Sequence, residues 1–417
     1  MPDLPQDPRP DSTLALLADP YRYIAAECAR HASDVFEARI LLQPMICMSG
    51  PRAAALFYDL GRFRREGAAP EPLRATLFGK GGVQGLDGEA HRHRKALFMA
   101  LLGPDHVAAL AARMREAWRR AAATWVGRGP VLLYEAVHEP MTRAVCDWAG
   151  VPVPDADLER RTRQLVALFD DAASKGPGHL RARMARRQAE SWLAKLVQAR
   201  REGRLEAPPG SALECIAQHR DEHGTPLDER TAAVELLNVL RPTVAVSVFI
   251  VLAAHALHLH PEWRGRLQQG APEEKRCFID EVRRYYPFFP AVVARVREDF
   301  EWQGYRFPEG RRVMLDLYGT NHDPRTWSDP DVFRPQRFLE SRPGPFDFVP
   351  QGGAEPHGNH RCPGEPVAVM LMAAALDGLL SDLHYEVPPQ DLAIDFGRLP
   401  ALPHSGFVID RVSLVAA

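Results

Sequence analysis

The chain has 417 residues, 46% hydrophobic and 25% charged, and 52 basic against 54 acidic side chains leave a formal net charge of −2. These are ordinary globular values, and the scattered lysines and arginines give no electrostatic footprint for nucleic acid. Length alone allows two or three domains, but no repeat, Ser/Gly linker or low-complexity run divides the chain. One large domain is therefore expected over residues 20–417. It follows an N-terminal extension, residues 1–19, which opens on a proline-rich stretch without a hydrophobic signal segment and is expected to be poorly ordered.

In chain order, Arg39–Met48 reads as a strand. Asp105–Val126 carries Val107, Leu110, Met114 and Trp118 on one side and arginines opposite, the period of an amphipathic helix. His138–Gly150, Leu158–Asp171, Arg181–Glu202 and Leu227–Leu259 read as further helices. The last contains an uncharged run from Pro242 to Pro261 with a serine and three histidines. Its mid-chain place and polar content favour a buried core helix over a membrane span, so a soluble, cytoplasmic protein is expected. Glu281-Val282-Arg283-Arg284 lies on a helical stretch that sets Glu281 and Arg284 on one face. Phe300–Leu317 predicts a hairpin and a following strand, with turns at Gly304 and Pro308-Glu309-Gly310. Pro-rich coil is expected over Arg342–Pro363 and a last β pair around Ala401–Val415. The whole is mainly α with minor β.

The six cysteines form neither a C-x-x-C pair nor a dense disulfide framework. Cys28, Cys47, Cys146, Cys215 and Cys277 read as reduced fillers. Cys362 differs. It stands in a Gly/Pro-rich loop, Phe348-Val349-Pro350-Gln351-Gly352-Gly353 and then His360-Arg361-Cys362-Pro363-Gly364-Glu365, just ahead of the apolar segment Pro366–Leu380. Backbone N–H groups and the helix dipole favour an anion there and are expected to lower the thiol pKa. The plain alternative is a buried, inert cysteine.

Glu281 and Arg284, then Phe333-Arg334-Pro335-Gln336-Arg337-Phe338, then the Cys362 loop, taken in this order, resemble the cytochrome P450 superfamily, and the resemblance runs from about Pro20 to the C-terminus. It implies the single-domain P450 fold and haem b with iron held by the Cys362 thiolate, a ligand that favours O–O cleavage. It also implies a buried network of Glu281, Arg284 and Arg337 behind the cysteine loop. By the residues alone, Glu281 and Arg284 could equally be an exposed helix pair of small value. The insert Gly353–Asn359 departs from the compact loop usual in the family. His91 and Lys95 match the pair that binds haem propionates, although the usual second residue is Arg, and Lys95 offers a point charge in place of a fork.

The distal helix departs further. Where most P450s carry an acid and a threonine, this chain has Arg241-Pro242, followed by Thr243. Arg241 is a fixed cation among apolar neighbours, with no carboxylate within one turn, and burial demands an anion. A carboxylate elsewhere in the fold is one candidate; a ligand carboxylate held by two parallel bonds is the other. Pro242 removes an N–H and is expected to kink the helix.

Arg241-Pro242 resembles the fatty-acid peroxygenase branch of the P450s, with its bacterial α- and β-hydroxylating enzymes and related decarboxylases. Leu77–Gly88, Asp316–Pro324 and Leu402–Phe407 resemble the same branch. The resemblance implies that Arg241 anchors a long-chain fatty acid and that the bound carboxylate relays protons as hydrogen peroxide is split, without an obligatory redox partner. It also implies that Gln84 lies near the haem edge, a position that is Gln in the hydroxylases and His in the decarboxylases. Otherwise Gln84 is a loop-capping amide. Phe78, Phe289 and Val292 are expected along the acyl channel, with Leu168 and Phe169 before a channel mouth near Ser174–Gly178. Alternatives are a decarboxylase making terminal alkenes, a monooxygenase fed by redox partners, and a haem-binding sensor without turnover.

Overall fold

The computed structural model describes residues 4–174, 176–269 and 271–415. Its main helices are α1 (Gly88–Leu101), α2 (Pro104–Trp125), α3 (His138–Ala149), α4 (Asp155–Asp170), α5 (Pro177–Arg201), α6 (Glu229–Leu259), α7 (Pro272–Tyr285) and α8 (Glu365–Asp377). Helix α6 is the axis of the helical core, packed against α3, α4, α5, α7 and α8. A helix enclosed on all sides must be apolar all round, which is why this segment has the composition of a membrane span while 94% of its most apolar window is buried inside the protein. Asp228 starts it, its carboxylate accepting the Thr231 N–H at 2.9 Å.

The largest sheet has hydrophobic cores of its own, whereas Val131, Leu383, Ile409 and Val412 of a smaller sheet belong to the helical core. β1 (Val35–Ile40), β2 (Gln43–Met48), β3 (Phe63–Arg64), β4 (Val131–Leu132), β5 (Ala291–Val296), β6 (Phe300–Trp302), β7 (Tyr305–Phe307), β8 (Arg312–Asp316), β9 (Leu383–Glu386) and β10 (Val408–Leu414) form three sheets. The largest has the order β1-β2-β8-β5-β3, with β2 and β8 parallel and the other pairs antiparallel. The others are β4-β10-β9 and the β6-β7 hairpin.

Three expectations need correction. The strand read over Arg39–Met48 is part of the β1-β2 hairpin, reversed at Leu41 and Leu42 with φ of 53° and 59°. Two leucines carry no turn signal; the turn is held from outside, by Leu41 N–H on Thr13 Oγ1 and Leu42 N–H on the Asp11 carboxylate, both at 2.6 Å. The β pair expected within Ala401–Val415 is instead the single strand β10, whose partners β4 and β9 lie far away in sequence. Helix α6 runs unbroken through Pro242, which removes one N–H from its ladder. Residues 1–3 of the expected loose extension lie outside the described residues, but the remainder is fastened to the fold. Leu4 is buried, Asp7 N–H donates to the Glu37 carbonyl at 2.9 Å, and the Asp7 carboxylate accepts from the Tyr23 and Ser12 hydroxyls at 2.6 and 2.7 Å.

At the end of β8, Asp316 caps the short helix Leu317–Asn321 by accepting the Gly319 N–H at 2.7 Å. Its burial pushes the carboxyl up to about 7 against these bonds. The folded state thus holds a proton that the unfolded chain releases above 3.8. Stability attributable to Asp316 therefore falls as pH rises from that value through about 7, then levels. Asp316→Asn keeps an acceptor for the cap. Its urea stability relative to the parent should improve between pH 5 and pH 7.5 by up to about 3 kcal/mol; an unchanged difference would contradict the assignment.

Candidate active site

One cavity of about 1230 Å3 runs through the helical core, walled on one side by the Cys362 loop and on the other by α6. The loop is held from two directions. Cys362 N–H donates to the Gln351 carbonyl at 3.1 Å, and the Gln351 side-chain amide approaches Cys362 Sγ at 3.8 Å. Gln351 is in turn held by Arg283 of α7 at 3.2 Å, and Arg283 also pairs with Glu365 at the start of α8. Burial pushes the free Cys362 thiol up; the Gly364 backbone and the Lys95 and Arg241 cations pull it back. The lowering expected from the helix N-terminus alone is thus outweighed by desolvation.

Behind the loop, Glu281 accepts from Arg284 at 2.7 and 2.9 Å and from Arg337 at 3.2 Å, all three side chains being buried. Arg334 N–H adds a bond to the same carboxylate at 2.7 Å. Arg284 donates to the Asn321 carbonyl at 3.0 Å, and Asn321 Oδ1 accepts the Val349 N–H at 2.8 Å. This chain joins the ion cluster to the strand of loop that precedes the cysteine.

Along one edge of the cavity are Arg65, His91, Lys95 and His360. Lys95 Nζ donates to the carbonyls of Asn359, at 3.1 Å, and Arg361, so the Gly353–Asn359 insert is pinned where it enters the cysteine segment. Burial lowers Lys95 to about 8 and His91 to about 4. His91 stacks on His360 with centroids 3.9 Å apart. Arg65 is buried without a carboxylate in salt-bridge range among the described residues, and burial lowers it to about 10.

On the α6 wall stands Arg241, 9% exposed. No carboxylate among the described residues pairs with it, and its Nε has no hydrogen-bond partner. Burial, with Arg186 nearby, pushes the guanidinium down to about 9, so it stays cationic at neutral pH. Pro242 lines the cavity beside it. Thr243 Oγ1 is turned back onto the Val239 carbonyl at 2.8 Å, so its hydroxyl proton is already engaged. Gln84 reaches the wall from the glycine loop and accepts from Asn238 at 3.1 Å. Gly82 permits that approach, because a Cβ there would sit 2.8 Å from Asn238 Nδ2.

Phe78, Phe169, Phe289 and Val292 line the cavity; Leu168 does not, and is buried in the helical core instead. On a helix, adjacent residues face about 100° apart, so only one of the 168–169 pair can look inward. Ser174 and Gly176 border the cavity, while Lys175 lies outside the described residues. Arg65, Asn238, Glu235, Gln351 and Arg283 were not singled out from the sequence. For Gln351 the signal was present, because it sits inside the cysteine motif.

The donor set suits a haem: one thiol on the wall, buried cations short of carboxylates along one edge, and an apolar volume between. Cys362 would hold the iron, and Arg65, His91 and Lys95 would face the propionates.

The comparisons agree with this geometry. The cytochrome P450 family model matches residues 276–405. Cytochrome P450SP alpha (CYP152B1), solved with (R)-ibuprophen, is 51% identical, with 97% of this chain and all of that one covered at a TM-score of 0.96. Cytochrome P450EX alpha (CYP152N1), solved with myristic acid, is 39% identical over the whole of both chains, and ligand-free cytochrome P450 OleT is 34% identical over 99% and 100%, each also at 0.96. The chain belongs to the cytochrome P450 family, in the branch of these three structures that its distal motif resembles.

Glu281→Ala leaves Arg284 and Arg337 buried without their carboxylate, and should destabilise the protein by about 3–5 kcal/mol. Denaturant unfolding within about 1 kcal/mol of the parent would show that the cluster is not what braces the loop.

Proposed function

We propose that this protein is a haem-thiolate peroxygenase that uses hydrogen peroxide to hydroxylate long-chain fatty acids at the α or β carbon. The observation that carries this reading is Arg241: a buried guanidinium facing an apolar cavity with no acid among the described residues to neutralise it. An acyl carboxylate supplies the missing anion and receives two parallel hydrogen bonds. The myristic acid in the cytochrome P450EX alpha structure supports the same ligand class.

Haem b, bound through Cys362, supplies the iron at which the peroxide O–O bond is broken and oxygen is delivered. The residues of the chain set the geometry. Arg241 fixes the headgroup, so only the first carbons of the chain lie near the reacting oxygen. The carboxylate oxygen on Arg241 accepts a proton from hydrogen peroxide and returns it to the departing oxygen, which leaves as water. One oxygen atom enters a C–H bond, so fatty acid and peroxide give hydroxy acid and water. Phe78, Phe169, Phe289 and Val292 exclude water from the chain and guide it past the headgroup. Peroxide brings both oxygen and oxidising equivalents, so no reductase is required. Loss of carbon dioxide after attack at Cβ would give a terminal alkene, carbon dioxide and two waters from the same reactants.

Incubation with myristate and hydrogen peroxide, followed by product identification, should yield α- or β-hydroxymyristate without a reductase. Arg241→Ala should retain haem and lose at least about a hundredfold in turnover, the effect of leaving a buried charge pair unmade. Retained activity of that variant on long-chain acids would contradict the anchor.

A further inference from the structure

Away from Arg241, the fold gathers a second group of cations that no acid answers. β5 pairs with both β3 and β8, and the register sets Arg64 of β3 opposite Arg295 and Arg295 opposite Arg312 of β8. Residues paired across strands share a face of the sheet, so three arginines stand in one row over three strands. Like charges placed directly opposite one another are destabilising. Arg74 reaches the same place from the turn that follows Glu71–Leu73. Burial, then Arg295 and Arg74, push the Arg312 guanidinium down.

No carboxylate among the described residues lies in ion-pair range of these four. Glu71, one turn before Arg74, is turned to Arg183 at 3.5 Å, and Glu66, on the cavity border, pairs with none of them. The groups that do hold them are neutral. Arg295 donates from Nε to the Gly67 carbonyl at 2.8 Å and from Nη1 to the Gly310 carbonyl at 3.1 Å, and Arg312 Nη1 donates to Gln43 Oε1. Both terminal nitrogens of Arg64 and of Arg74, and Nη2 of Arg295 and of Arg312, have no partner among the described residues. Unlike the Nε atoms of Arg64, Arg74 and Arg312, these nitrogens are not sealed from solvent. They are open to a ligand.

The row stands where the cavity meets the surface. Strand residues alternate between faces, so Arg295 shares its side with Ala291 and Val293, and Arg312 shares its side with Met314. Those three apolar residues line the cavity, and so does Arg74. Leu41, two residues before the Gln43 that holds Arg312, also lines it and is 53% exposed; Leu180 lines it and is 62% exposed. A fatty acid entering here travels headgroup first to reach Arg241. The net charge of −2 on the chain offers that anion no attraction from afar, whereas a local cluster of cations at a cleft raises the encounter rate, and guanidinium forks suit a carboxylate.

We propose that Arg74, Arg295 and Arg312, with Arg64 beside them, form a receiving site at the cavity mouth that takes the carboxylate of an incoming fatty acid before it passes to Arg241. The assignment rests on the peroxygenase reading and adds to it the route by which the substrate is captured.

Stopped-flow mixing of laurate with the haem-loaded protein, followed in the haem spectrum, reads the association rate. In the double variant Arg74→Gln/Arg312→Gln this rate should fall at least about fivefold at low salt, and the gap to the parent should close at about 0.5 M salt, where the field is screened. Arg74→Lys/Arg312→Lys should stay within about twofold of the parent, because steering needs the charge more than the fork. Dodecanol, the same chain without the charge, should enter the parent and the glutamine pair at equal rates. Arg74→Gln alone, off the sheet, should give part of the loss and guards against a folding defect in the pair. A parent crystal soaked in sodium bromide should hold bromide between Arg74 and Arg312, and the glutamine pair should not. Equal laurate rates in parent and glutamine pair at low salt, equal losses for laurate and dodecanol, or no bromide in the parent would overturn the proposal. If the parent bound no fatty acid, the proposed function would fall, and the bromide soak would decide by itself whether these arginines gather anions.

Discussion

One buried cation, left without an acid partner among the described residues, shapes the reactive end of this protein. Arg241 sits on a helix whose neighbours are apolar, at a depth where an unneutralised charge costs several kcal/mol. No acid among the described residues pairs with it, although the chain has 54 acidic side chains. The nearby buried carboxylate, Glu235, is committed to Arg94 and Asn238. The electrostatic deficit is therefore directed into the cavity, and in the proposed function a ligand carboxylate removes it. In the proposed function the same deficit lets proton transfer proceed without the usual distal acid, because the acid arrives with the substrate.

The opposite wall answers a different demand. A thiolate ligand must be held at one place while the cavity in front of it stays open. Two connected systems do this: Glu281 with Arg284 and Arg337, which reaches the loop through Asn321 and Val349, and Arg283 with Gln351 and Glu365, which reaches the sulfur itself. Adjacent residues of α7, Arg283 and Arg284, serve the two systems, so one helix braces both sides of the cysteine segment. Lys95 completes the enclosure by donating to the carbonyls just before Cys362. These bonds order backbone that would otherwise be a long Pro- and Gly-rich coil.

Much of this was legible in the amino-acid order because the chemistry is unusual for its setting. A lone cysteine before an apolar helix, and an Arg-Pro pair inside another, stand out against any bland background. The helices were legible for the same reason that α6 resembles a membrane span: burial on all sides leaves a strong apolar signal. What stayed hidden depends on partners distant in sequence. The Leu41-Leu42 reversal is imposed by Asp11 and Thr13. The partners of β10 lie at 131–132 and 383–386. Arg65 looks like any other arginine until the fold brings it to the cavity without an acid. Glu235 and Asn238 read as polar interruptions of an apolar helix, and their meaning appears only when Arg94 and Gln84 approach from elsewhere in the chain. Leu168 and Phe169 were indistinguishable as letters, and the helical phase separates them.

The central claim is that a negative headgroup, more than a hydrocarbon chain, is what this pocket selects. The direct measurement compares binding of myristate with that of its methyl ester, which keeps the chain and loses the charge. Titration of the haem-loaded protein should show the ester at least about thirtyfold weaker than the acid, the minimum expected when a buried charge pair goes unmade. Equal affinity for acid and ester would mean that Arg241 is not the anchor, and the account of the reaction built on it would not stand.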